Sequence, residues 1–183
     1  MTCKKLQLIT SLFSAEFEVS FNTILIGEAD EPLYLPASTE SQFCRVFYRQ
    51  NFVSSALHEI AHWCLAGERR RLLEDYGYWY HPDGRSVDQQ GVFEAVETKP
   101  QALEWMFAVA CGHEFHVSAD NLDGLHGGGS SDMFRQGIVD QVNSWCNSEQ
   151  LPLRAAAFLG RLNAYFGNSD VFSDQHYQLT KTC

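Results

Sequence analysis

The segment Leu57-His58-Glu59-Ile60-Ala61-His62-Trp63 constrains this chain more than any other, because its residue types and their spacing specify a chemistry. It carries the pattern H-E-x-x-H. On an α-helix, positions four apart share a face and lie about 6 Å apart along the axis. Two imidazoles so placed can converge on one metal ion at about 2.1 Å each. The flanks support a helix, since Val53, Leu57, Ile60 and Cys64 recur at three- and four-residue steps as one apolar stripe. Asn51, Ser55, His58 and His62 form a second, polar stripe almost opposite. The spacing predicts a helix from about Phe52 to Ala66, ending near Gly67, with one side in a core and the histidines facing a cleft or water. Histidines on a polar helix face can simply be solvated, but the glutamate between them at this spacing favours a metal site.

Two histidines do not complete a site, and the usual third ligand is a carboxylate from a later helix. A helical pattern runs from about Val92 to Cys111 with Pro100 inside it. A proline costs a helix interior about 3 kcal/mol, so the helix either starts near Lys99 or kinks there. Glu94, Glu97 and Glu104 are the candidates, and Glu97 is the best placed. If the helix is continuous, Glu94, Glu97 and Gln101 share a face, whereas Glu104 lies among Leu103, Trp105 and Met106. Two imidazoles and one carboxylate leave half of a coordination sphere open. A zinc ion there would bind water, with Glu59 as general base, and hydrolyse an amide. An iron(II) ion with the same three ligands would use dioxygen to hydroxylate a C–H bond. The ligand set does not separate the two, and from the residues alone a metallopeptidase is the default.

The chain has 183 residues, 45% of them hydrophobic, which suits one domain over 1–183 with a full core. Residues 3–18 have helical spacing, with Leu6, Ile9, Phe13 and Phe17 on one side. Ile24-Leu25-Ile26, Leu33-Tyr34-Leu35 and Val46-Phe47-Tyr48 are short β-prone runs separated by Gly, Pro and polar clusters. Further helical turns are expected between Arg69 and Asp75, and further helices around 132–146 and 150–166. Phe115 to Ser118 reads as a short strand or extended segment, Leu125 to Ser131 as a glycine-rich loop, and the tail after Gly167 carries no pattern. The fold class is therefore α+β, a small sheet packed against the helices that carry the ligands.

Thirteen basic residues against 23 acidic ones give a formal charge of −10, which argues against a general nucleic-acid-binding surface. Six widely spread cysteines contain no C-x-x-C pair and match neither a disulfide scaffold nor a zinc knuckle. No run of about 20 apolar residues is present to span a membrane. The apolar run after Lys4-Lys5 is broken by Gln7, Thr10 and Ser11, unlike a signal peptide. A cytoplasmic protein with reduced thiols is expected. His126-Gly127-Gly128-Gly129 lacks the G-x-S-x-G partner of a hydrolase oxyanion loop, and no phosphate-binding glycine motif occurs. His81, His113 and His116 could act near the metal, but a lone histidine is more often structural or on the surface.

Several motifs in one order extend this reading. These are Asp30 to Ala37, His58 to Cys64, Asp75 to Tyr80 with Pro82-Asp83-Gly84-Arg85, Val96 to Leu103, and Val117 to Leu122. Together the chain resembles the bacterial elongation factor P hydroxylases, densely over about residues 22–125 and weakly in the N-terminal helix and beyond the glycine loop. The resemblance implies a mononuclear non-haem metal, iron(II), held by two histidines and one glutamate that match His58, His62 and Glu97, with dioxygen as co-substrate. It implies a substrate lysine on elongation factor P that already carries a β-lysyl group. In such a hydroxylase Glu59 orients a ligand or a solvent molecule rather than acting as a hydrolytic base. Asn51 and Ser55 would border the cleft, and the acidic balance would suit a cationic substrate loop.

Overall fold

The computed structural model describes residues 4–77, 85–118, 131–168 and 170–178. The first helix, α1 (Lys4–Phe21), buries Leu6, Ile9, Phe13 and Phe17, the stripe its spacing predicts. Asn22 follows with φ 51°, a left-handed conformation that asparagine tolerates, and turns the chain directly into a strand.

Three strands form one sheet: β1 (Thr23–Ala29), β2 (Leu33–Leu35) and β3 (Cys44–Arg49). Their order is β1-β3-β2, with β3 parallel to β1 and antiparallel to β2. Leu25, Val46 and Tyr34 lie opposite one another across the three strands, and all three are buried, so one row of side chains marks the inner face. Gly27 sits against the Tyr48 side chain, whose hydroxyl would be 2.5 Å from any added Cβ, so a side chain here would have to displace the Tyr48 ring.

The strand β3 leads straight into α2 (Val53–Leu65), the H-E-x-x-H helix, with Phe52 and Ala66 as its flanking residues. Val53, Leu57, Ile60 and Cys64 are buried as expected, and so are Ala56, Glu59, Ala61 and Trp63. Trp63 is enclosed by rings: Phe17, Phe13 and Phe21 lie with centroids 4.8, 5.4 and 5.6 Å away. Arg154 stacks on Trp63 at 4.8 Å and donates hydrogen bonds to the carbonyls of Trp63, Cys64 and Ala66. It thus satisfies carbonyls that the end of α2 leaves without helical partners.

The helix with Pro100 is one element, α3 (Val87–Ala110), and it neither starts near Lys99 nor breaks at the proline. It begins about five residues earlier than the apolar pattern indicates because Ser86 and Gln89 form a capping box. Two more helices, α4 (Asp132–Ser148) and α5 (Leu153–Phe166), complete the core. Residues 69–77 form short 3₁₀ turns, and Phe115 to Ser118 is extended without a sheet partner among the described residues. The tail takes part in the core: Val171 and Tyr177 are buried, and the Tyr177 hydroxyl donates to the Val171 carbonyl. Residues 78–84, with the aromatic run, and 125–130 of the glycine loop lie outside the described residues. Among the described residues no helix is long and apolar enough to cross a membrane.

Candidate metal centre

Glu97, the residue expected as third ligand, lies on α3, whose residues pack across the polar face of α2. His58 meets Glu97 and Glu104, while His62 meets Glu97. Contacts that advance along α2 therefore retreat along α3, so the two helices cross with opposed directions. His58 Nε2 and His62 Nε2 are 3.1 Å apart. Glu97 Oε2 is 3.4 Å from the first and Glu97 Oε1 is 3.2 Å from the second. One donor atom from each of the three residues lies within 4.8 Å of the others.

These separations can be compared with those that metal coordination requires. At a ligand distance of about 2.1 Å, adjacent corners of an octahedron are about 3.0 Å apart and those of a tetrahedron about 3.4 Å. The 3.1 Å between the two imidazole nitrogens falls in that range, as does each imidazole's distance to one Glu97 oxygen, with Oε2 facing His58 and Oε1 facing His62. The electrostatics agree. Glu97 is 1% exposed, with His58, His62 and the Gln101 side chain facing its carboxylate. A buried carboxylate is costly unless a cation faces it. Two imidazole nitrogens and a carboxylate, aimed at one point, suit a divalent transition metal.

The charges around the cluster are mutually dependent. Burial opposes protonation of His58, yet the hydrogen bond to Glu104 and the charge of Glu97 outweigh it and push its pKa up to about 10. Burial raises Glu97, but the charge and hydrogen bond of His62, the charge of His58 and a hydrogen bond from Gln101 together outweigh it and hold the carboxyl down at about 2. Glu59 and Glu104 are both pushed up by burial. A cation at the cluster would take the place of the proton on His58.

Of the candidate carboxylates, Glu97 is brought to both histidines. Glu94 is not, because its carboxylate accepts from the backbone N–H and hydroxyl of Ser131, the residue that caps α4. Glu104, whose face the sequence leaves undefined, lies 2.8 Å from His58 Nδ1, on the far side of the ring from Glu97. Glu59 is buried and close enough to feel both histidines electrostatically. Asn51 and Ser55 differ from expectation. Asn51 donates to Glu28 and Ser55 accepts from the Arg49 backbone, so both tie the start of α2 to the strands. Gln101, one turn after Glu97, exchanges two hydrogen bonds with the backbone of Ser118. Its position on the Glu97 face is readable from the sequence, but its partner is not.

The family model described as elongation factor P hydroxylase matches residues 12–177. The chain belongs to that family. A family member from Haemophilus influenzae, the elongation factor P lysine hydroxylase, is 44% identical over 176 residues, covering 96% of this chain and 97% of its own length. The match extends well beyond the 22–125 span in which the sequence motifs are dense. It takes in most of α1 and reaches the buried tail, as a core shared by all five helices would require. In this member of the hydroxylase family, His58, His62 and Glu97 are thus a convergent donor set.

Proposed function

We propose that this protein hydroxylates the lysine of elongation factor P that carries a β-lysyl group, using iron(II) held by His58, His62 and Glu97, with dioxygen as co-substrate. One oxygen atom enters the C–H bond and the other leaves as water, with two electrons and two protons drawn from an external two-electron reductant. Membership of the hydroxylase family supports the reaction class, and the name of the Haemophilus influenzae relative supports the protein substrate. The observation that carries the reading is the gathering of two imidazole nitrogens and a buried carboxylate oxygen within 4.8 Å of one another. When bound, the iron supplies dioxygen activation at the positions that three protein ligands leave open.

The chain's own residues supply the rest. His58 and His62 present neutral nitrogen donors from one rigid helix, so the spacing between them is fixed by the backbone. Glu97 supplies the negative charge, and burial keeps bulk water away from it. Glu59, buried beside both histidines, orients a ligand side chain or a solvent molecule at the site instead of serving as a hydrolytic base. The net charge of −10 raises the encounter rate with a cationic substrate loop. A translation factor as substrate implies a cytoplasmic protein.

Mass spectrometry of β-lysylated elongation factor P after aerobic incubation with the iron-loaded protein and a two-electron reductant tests this directly. A gain of one oxygen on the modified lysine is expected. An unmodified mass, or cleavage into peptide fragments, would overturn the reading.

A further inference from the structure

The structure assigns Glu104 as the residue that positions His58, holding its ring by Nδ1 so that Nε2 faces Glu97 and His62. This rests on the proposed metal centre and adds to it a residue that holds a ligand without being one. An imidazole has two nitrogens and can turn either towards a metal. At His58 the Glu104 carboxylate lies 2.8 Å from Nδ1, while Nε2 faces His62 at 3.1 Å and Glu97 at 3.4 Å. With a proton on Nδ1 donated to Glu104, the Nε2 lone pair is left free at the donor cluster. A carboxylate behind a ligating histidine fixes both tautomer and ring plane and makes the ligating nitrogen more basic.

The placement of Glu104 fits this role. It lies seven residues after Glu97, two turns of the same helix, so α3 presents a ligand and a positioning carboxylate on one face. Its side chain is 9% exposed, in a helix whose neighbouring residues Leu103, Trp105 and Met106 are all buried. A carboxylate is rare in such surroundings without a partner, and His58 is the partner the structure provides. Pure packing would be served as well by an aliphatic side chain.

Zinc(II), alone and diamagnetic, is the probe. Its affinity is measured by chelator competition for the parent protein and for Glu104→Gln, Glu104→Ala and His62→Ala. Long-range ¹H–¹⁵N spectra of the zinc-loaded parent report which nitrogen of His58 carries the proton. The expected spectrum has His58 protonated at Nδ1 and bound to zinc through Nε2. Affinity should fall about 10- to 100-fold in Glu104→Ala, the range typical of losing a carboxylate behind a ligand. Glu104→Gln, which can still accept from Nδ1, should recover part of that loss. Parent-like affinity in both Glu104 variants, with His62→Ala strongly impaired, would overturn the positioning role and leave the metal centre standing. Zinc bound through Nδ1 of His58 would overturn it even if neither variant folds. No zinc binding by the parent protein would overturn both readings.

Discussion

On one side of α2, Trp63 is fully buried among Phe13, Phe17 and Phe21; on the other, Glu97 is 1% exposed and faces two imidazoles. The two surfaces are buried to a similar depth by different physics. Around Trp63 the ring contacts are edge-on or tilted aromatic pairs, and removing that surface from water is favourable in itself, at about 25 cal/mol per Å². Around Glu97, burial is unfavourable for each group taken alone. Three glutamates, at 59, 97 and 104, surround two histidines in a part of the molecule from which water is largely excluded. Such an arrangement is tolerable when a cation sits at the centre, and it marks that side of the helix as chemical and the other as structural.

The contrast can be attacked from either side. The largest effect is expected from His62→Ala, which removes one of three ligands. Metal affinity should drop by more than about 100-fold, beyond the range for losing an outer partner, and hydroxylation should vanish. Circular dichroism of the metal-free variant should match that of the parent, because the change falls on the chemical side. A parent-like metal affinity would show that the ligand set is wrong.

Trp63→Ala strikes the opposite side. It should lower the unfolding free energy by about 3–5 kcal/mol, the usual cost of emptying a large aromatic site, as read by urea titration. Whatever fraction stays folded should still bind metal, since no ligand is touched. A small loss of stability would mean that the aromatic cluster is not what anchors α2.

A smaller and graded effect is expected with pH. The carboxylates hold His58 protonated up to about pH 10, so a metal entering near neutrality must displace that proton. Apparent affinity should therefore rise with pH by up to about tenfold per unit between roughly pH 7 and 10, with one proton released per ion bound. Titration in weakly buffered solution measures the release directly. A pH-independent affinity over that range would weaken the contrast, because it would mean that His58 is already deprotonated before metal arrives.

The two sides of α2 are not equally legible in the sequence. The apolar stripe and the H-E-x-x-H pattern are local, and together they bound α2 to within a residue at each end. Glu97 can be favoured for its place near Pro100, where a kink is expected, yet only packing brings it to His62. Glu104 shows the limit: its partner depends on which face of α3 meets α2, and with nearly every residue from Pro100 to Ala110 buried the sequence has no amphipathic signal there. The apolar pattern misses the start of α3 because Ser86 and Gln89 follow a turn-like run, although S-x-x-Q is a readable capping signal. Val171 and Tyr177 carry no period, so their burial becomes visible only in three dimensions.

X-ray absorption at the iron edge, on protein loaded anaerobically with iron(II), tests the central claim most directly. One ion per chain is predicted, with scattering from two imidazoles and a carboxylate at about 2.1 Å, and with that pattern lost in Glu97→Ala and His58→Ala. Iron that binds with an unchanged pattern in those two variants would lie somewhere else in the molecule, and a centre built on His58, His62 and Glu97 would be contradicted.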